Sequence, residues 1–318
     1  MEFGAHLPLI PSSPGPPSPA ALRDYAAAAS RLGYRWLTAN DHLVFRRPWL
    51  DGLTALASVI DASGDLGLAT TICLPAVRGP AQTAKAFAAL DLLSGGRFTG
   101  GVGPGSGERD YVVGGVPGDR RFARFEEAVR ALRVLLGRDP GPFEGRVYST
   151  AGVTLEPPPE PGRPPIWMAG WGGTRGLRRA AELGDGWLAS AYNTTPEGFA
   201  ASWSQIRSHV AARGGDPDAF PNGVATAWTY VTEDRATERR ILADVLAPIV
   251  GRPVEELAAL PLPIGPAEVC AERVSAFRDA GAQRLFIWPL GDEEEQLTRF
   301  AEDVVPRVGG SHRPRPAP

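Results

Sequence analysis

The stretch LGLATTICLPAVRGPAQTAKAFAALDLLSGGRFTGGVGPG, residues 66 to 105, decides the fold. An apolar run of strand length ends at Pro75. The spacing then predicts a helix of about four turns from Pro80 to Ser94, closed by Gly95-Gly96. A second strand-like run follows and reaches a Gly-Val-Gly-Pro-Gly loop. This is a β-α-β unit. Neither strand alternates cleanly between apolar and polar, so both are expected to be buried on two faces, as parallel strands covered by helices are. The glycines after the second strand let backbone approach a ligand closely.

The alternation extends outward on both sides. Glu2 to Leu7 reads as a first strand, and IPSSPGPPSP after it is too proline-rich for anything but a loop. Ser18 suits an N-cap and Pro19 a first helical turn, with Leu22, Ala26, Ala29 and Leu32 on one face and Gly33 at the end. Arg35 to Ala39 is the second strand, and a helix from about Trp49 to Ala62 leads to the unit above. Beyond Gly105 an irregular stretch runs to about Arg120. The helix RFARFEEAVRALRVLLG follows, with Phe122, Phe125, Val129, Leu132 and Leu136 at helical spacing. Residues 138 to 164 hold several prolines around a hairpin and read as an insertion. Strands at 165–169, 186–190, 223–231 and 284–288 then alternate with helices at 174–183, 196–213, 233–247, 266–280 and from Glu293. Residues 252 to 265 fit neither pattern. About eight strands, each trailed by a helix, make a (β/α)8 TIM barrel with insertions after strand 4 and near the C-terminus. Residues 1 to 308 are expected to form that one domain and 309 to 318 a disordered tail.

Composition narrows the function classes. The 33 basic and 36 acidic residues nearly balance, which excludes a nucleic-acid surface or an anionic-membrane patch as an expectation. No apolar run approaches the ~20 residues that span a bilayer, and no basic-then-hydrophobic leader opens the chain, so a cytoplasmic protein is expected. Cys73 and Cys270 lack metal-ligand spacing and read as free thiols. Lys85, the only lysine, falls inside a predicted helix, which argues against a Schiff-base aldolase.

A resemblance rests on these same residues. Leu66-Gly67, Leu74-Pro75, Arg78, Pro80, Ala84-Lys85, Leu90-Asp91, Leu93-Ser94-Gly95-Gly96-Arg97 and Gly101-Val102-Gly103 with Gly105 are similar, in order, to the luciferase-like monooxygenase superfamily of flavin and deazaflavin enzymes. Asp41-His42, Phe143-Glu144-Gly145 with Tyr148, Pro164-Pro165-Ile166-Trp167 leading to Gly172-Gly173, and Gly184-Asp185-Gly186-Trp187 extend it over nearly the whole chain. The DHLVF and LLSGGRFTGGVGPG segments resemble the branch that uses the deazaflavin F420. The resemblance implies hydride transfer between reduced F420 and an organic substrate, with reduction of a C=C or C=N bond expected. The alternative is an FMN-dependent two-component monooxygenase whose reduced flavin comes from a separate reductase. A small-molecule substrate and a homodimer are expected with either.

Barrel active sites lie at the C-terminal ends of the strands, and the candidates are read there. Asp41-His42 follows the second strand. Taken alone, a histidine here is read first as one hydrogen-bonded at a loop start. In related deazaflavin dehydrogenases the histidine of this pair is the acid or base, and the resemblance assigns His42 that role, with the adjacent carboxylate or a backbone group fixing its tautomer. At Thr71-Ile72-Cys73 the relatives carry a bulge with a non-proline cis peptide against the cofactor ring, implying a cis Thr71–Ile72 bond; without the resemblance this is an apolar strand end with Cys73 a small buried residue. Gly103 and Gly105 are implied to turn backbone N–H groups to the cofactor. Ser106 stands where sugar-phosphate dehydrogenases of the group carry a catalytic Glu, with Glu108 two residues on, so a different substrate class is expected. Ala169-Gly170-Trp171-Gly172-Gly173-Thr174 precedes a helix whose free N–H groups, with Arg175, suit the cofactor phosphate. The family pattern adds Gly186 and the residues from Ser190 to Asn193. Trp49, Trp171, Trp228 and Trp288 are candidates for an aromatic pocket, and His6 for its wall.

Overall fold

The computed structural model describes residues 1–10, 18–170 and 173–309. The expected tail from residue 310 on, most of the proline-rich loop, and Trp171 and Gly172 lie outside the described residues. The strands are β1 (Glu2–His6), β2 (Trp36–Ala39), β3 (Gly67–Thr70), β4 (Phe98–Val102), β5 (Ile166–Ala169), β6 (Gly186–Ser190), β7 (Asn222–Val231), the short β8 (Ile264–Gly265) and β9 (Arg284–Pro289). Every ladder between them is parallel. Pairing of β6 with β7, β7 with β9 and β9 with β1 closes the ring, so eight strands form the barrel and β8 extends β7 outside it. This is the (β/α)8 barrel that the alternation predicts.

Glycine placement decides how the barrel fills. Trp36, Trp167 and Phe286 converge in its lower half, with Trp36 lying 6.1 Å from Trp167 and 6.3 Å from Phe286 between ring centres. A Cβ on Gly4 would come within 2.5 Å of Phe286, on Gly67 within 2.6 Å of Trp36, on Gly186 within 2.6 Å of Trp167, and on Gly223 within 2.9 Å of Phe286. Large rings on some strands therefore occupy the room that glycines on their neighbours vacate, and the layer is solid rather than a pore. This floor leaves only the upper, C-terminal end open to a ligand.

The L-D-x-L-S-G-G-R segment works at the opposite end from that opening. Helix Pro80–Leu93 ends where Gly95 and Gly96 take φ of 65° and 78°, values that favour glycine, and Gly96 N–H returns to the Asp91 carbonyl at 2.8 Å. Asp91, 2% exposed, receives Arg163 at 2.8 Å, while Arg97 donates to Leu66 O at 2.5 Å and Ser63 Oγ at 3.0 Å. These side chains stitch the helix end to β3, β4 and the approach to β5.

Three expectations change. The helix expected from Trp49 to Ala62 is Gly52–Ser58, because the Asp51 carboxylate accepts from Thr54 N–H at 2.8 Å and caps it there. The ambiguous residues 252 to 265 hold a short helix, Val254–Ala258, and β8. The helices after β7 and β9 pass through π turns at Ile241–Leu246 and Phe300–Val304, each upstream of a proline, Pro248 and Pro306. A wider turn eases the clash of a proline ring with the carbonyl four residues before it.

Candidate active site

His42 lies on the loop leaving β2, and the first surprise is its partner. Asp41 is not that partner. Its carboxylate takes Arg78 at 2.7 and 2.6 Å and the Leu74 amide at 3.1 Å, so it ties the end of β2 to the segment after β3. The sequence-based assignment of Asp41 as the neighbour that orients His42 is corrected here: adjacent side chains diverge, and Asp41 turns toward the guanidinium. The imidazole instead meets Asp110, with Nδ1 to Oδ2 at 2.7 Å. Asp110 stands in helix Glu108–Val113 with its side chain 1% exposed, and its Oδ1 accepts from the Leu43 and Val44 amides at 2.8 and 3.1 Å. Burial opposes ionisation of this carboxyl, yet the hydrogen bonds from His42 and the two amides hold it below the ordinary carboxylate range. Phe45 and Trp49 pack on the ring, each 4.6 Å away between centres.

A small cavity of about 80 Å³ sits beside His42, lined among others by Asn40, Thr71, Ile72, Gly105, Ala169 and Ser190. It shares Asn40, His42, Ser106, Tyr192, Asn193 and Thr226 with an outer cleft of about 630 Å³, so the two form one continuous site. Phe45, Trp49, Trp228 and Ile249 give the cleft apolar lining, and three arginines, Arg46, Arg109 and Arg252, line it with the carboxylates of Glu108 and Asp110. Among the described residues no carboxylate comes within ion-pair distance of those three arginines. Arg252 is held by the Tyr192 carbonyl at 2.8 Å and Asn193 Oδ1 at 2.6 Å.

Strand three ends in a cis peptide bond between Thr71 and Ile72. Ile72 faces the cavity, whereas Cys73 turns into the core at 0% exposure, where burial raises its thiol well above the ordinary range. Cys73 is therefore a packed neutral side chain. Gly103 N–H is spent on the Cys73 carbonyl at 3.1 Å, so it does not turn to a ligand as the sequence suggested. Its missing Cβ has another use, since one would lie 2.2 Å from Ile72 Cδ1. Gly105 (φ 70°) and Ser106 line the cavity.

Other expected contacts separate. Ala169 and Ser190 reach the cavity, and Gly170 is fixed just behind it by Trp187 Nε1 donating to its carbonyl at 2.8 Å. Gly173 caps helix Thr174–Leu183 without a side chain; its carbonyl accepts from the Gly176 and Leu177 amides at 2.9 and 3.1 Å, which leaves the Thr174 and Arg175 amides as the donors at the helix start. Gly186 belongs to the barrel floor under Trp167, away from the opening. His6 is buried with Trp288 stacked at 3.4 Å and lines neither cavity; desolvation lowers its imidazole to about 3, so it stays neutral.

Sequence reasoning missed Asp110, Thr226 and Arg252. Asp110 has a signal in its place shortly after the glycine loop, masked by the resemblance, which points to the residue next to Gly105. Thr226 had none. It sits at φ 57° in the irregular register between Val224 and Ala227, and such a bulge aims its residue into the site. Thr71 Oγ1 and Asn40 Oδ1 are buried at the cavity with no hydrogen-bond partner among the described residues. Buried polar atoms without partners at a cavity wall are what a bound ligand satisfies.

Fold and site together define a barrel enzyme with a part-buried imidazole held by a buried carboxylate at the mouth. The chain belongs to the luciferase-like monooxygenase family, whose model matches residues 1–252, and with it to the oxidoreductases. It is 31% identical to the F420-dependent glucose-6-phosphate dehydrogenase of Kineococcus radiotolerans over 91% of this chain and 93% of the relative. The Nocardia farcinica protein of the same name is 26% identical over 91% of this chain and 94% of its own length. Among solved structures, an F420-dependent secondary alcohol dehydrogenase holding an F420-acetone adduct superposes with TM-score 0.81 at 20% identity, covering 97% of this chain and 99% of that one. The FMN complex of the oxygenating constituent of 3,6-diketocamphane monooxygenase from Pseudomonas putida superposes at 0.76 with 16% identity, over 98% and 100% of the two chains, a likeness of fold.

Proposed function

We propose that this protein transfers hydride between F420 and an organic substrate, with His42 moving the accompanying proton and reduction of a C=C or C=N bond as the chemistry. The observation that carries the reading is the His42–Asp110 pair at the wall of a cavity that also bears unpartnered Thr71 and Asn40 oxygens. Full-length relatives named as F420-dependent enzymes support the cofactor. The residues present fit it: Ile72, Leu188 and Ala225 supply apolar surface for a flat ring, Thr71 and Asn40 supply polar contacts, and the helix start at Gly173-Thr174 with exposed Arg175 suits a phosphate. Asp41 serves by tying the ends of β2 and β3, which carry these contacts.

When bound, F420 accepts or delivers a hydride at C5 of its ring. The protein does the rest. His42 delivers a proton to the substrate atom next to the carbon that gains hydride, or removes one in the reverse direction. Phe45, Trp49 and Trp228 exclude water and orient an apolar substrate body, and the three arginines of the cleft draw anionic groups to the mouth. Ser106 offers no carboxylate of its own and Glu108 lines the outer cleft, while a reduction that needs one proton is served by His42 alone. A homodimer, a separate reductase that returns the cofactor to its reduced form, and a cytoplasmic setting belong to the same proposal. Among the described residues, no helix is long and apolar enough to cross a membrane.

The test is to mix the protein with reduced F420 and a panel of activated alkenes and imines and follow the return of oxidised F420 absorbance. Turnover that needs both protein and substrate is expected. Consumption of O2 with FMN and a flavin reductase, with no F420 turnover, would replace this reading by the monooxygenase.

A further inference from the structure

The geometry points to Asp110 as the residue that sets the tautomer of His42, and so decides which nitrogen faces the reacting molecule. This inference rests on the reading of His42 as the proton carrier. The two oxygens of Asp110 have separate duties. Oδ1 accepts from the Leu43 and Val44 amides, at 2.8 and 3.1 Å, which fixes the loop that carries the histidine. Oδ2 takes the imidazole at 2.7 Å. A carboxylate held below the ordinary range only accepts hydrogen bonds at neutral pH, so Nδ1 must carry a hydrogen. The neutral ring then presents its bare Nε2 lone pair. In the oxidative direction Nε2 takes a proton from substrate N–H, or from the C–H next to the carbon that gives up hydride, and the imidazolium is stabilised by Asp110. In the reductive direction that imidazolium returns the proton, and the neutral Nδ1–H ring is restored. Asp110 acts through His42 and is a positioning residue.

Asn at this position makes a sharp prediction. The Leu43 and Val44 amides require an acceptor, so the amide oxygen of Asp110→Asn must stay at the Oδ1 place. Its NH2 group then occupies the Oδ2 place and donates to Nδ1. That forces the hydrogen of the neutral ring to Nε2, where it blocks the base function while leaving shape and volume nearly unchanged. A purely structural role for Asp110 predicts no such flip.

The chain has four histidines, so imidazole ¹⁵N resonances can be assigned by loss of one signal in His42→Gln. In the unliganded wild type, with the ring neutral, the expected species is Nδ1–H; in Asp110→Asn it is Nε2–H. The kcat for F420-dependent oxidation of the amine formed from an imine of that panel should fall by about 10²- to 10⁴-fold in Asp110→Asn, while KM should change by less than about threefold. A wild-type His42 with hydrogen on Nε2, or an Asp110→Asn protein that keeps hydrogen on Nδ1, overturns the inference, and the wild-type spectrum decides even if the variant fails to fold. The spectra settle the tautomer without turnover, whereas unimpaired turnover by His42→Ala would instead sink the reading of His42 as proton carrier.

Discussion

At the residue scale, the account turns on His42 and the side chains that hold it. His42→Ala removes a proton carrier but little of the cavity wall, so kcat should drop about 10²- to 10⁴-fold while cofactor affinity moves far less, as steady-state kinetics and a binding titration would show. Asp110 also makes stability depend on pH. Its folded-state carboxyl lies below the unfolded value of about 3.9, so its contribution is present above that value and is lost as pH falls through the folded one. Denaturant titrations between about pH 5 and pH 2 should therefore show a shallower acid loss of stability for Asp110→Asn than for wild type; identical slopes would mean the carboxylate is not stabilised in the fold. His42 was legible in sequence through its place after a strand. Its partner was not, because the two are 68 residues apart and only the helix that follows β4 brings them together.

At the element scale, glycines divide into two kinds that look alike in sequence. The resemblance implies a cofactor contact at Gly186, yet this residue makes room for Trp167 in the barrel floor. Gly186→Ala should cost about 1–3 kcal/mol by overpacking, with cofactor affinity unchanged in the fraction that folds, measured by thermal melting and titration. Gly173 is the other kind. A Cβ there meets nothing within 4 Å, and the residue caps helix Thr174–Leu183 in extended backbone. Gly173→Asp should hold or raise thermal stability, because Asp is a good N-cap, while weakening the cofactor by placing a carboxylate beside its phosphate. Unchanged affinity would move the phosphate elsewhere. The strands and most helices were legible from apolar spacing and turn residues. The cap at Asp51, the π turns and the irregular strand at Thr226 were not, since each depends on contacts or backbone angles that periodicity does not encode.

At the scale of the whole molecule, a closed barrel plugged below by interlocking rings and glycines confines ligands to one end, and the family's most recognisable segment turns out to build the other. Leu93-Ser94-Gly95-Gly96-Arg97 therefore identifies the fold without touching the chemistry, which lies with His42, Asp110 and the cavity around Thr71 and Ile72. Exposed Val112, Val113 and Phe122, 72%, 62% and 50% accessible, offer apolar surface that a second copy would cover in the proposed homodimer, and sedimentation equilibrium would give the stoichiometry. The central claim is that the cavity is built for a deazaflavin. Parallel fluorescence titrations with F420 and FMN test it most directly: the account predicts saturable one-to-one binding of F420 that at least tenfold outcompetes FMN, and tighter binding of FMN, or no binding of F420, would contradict it.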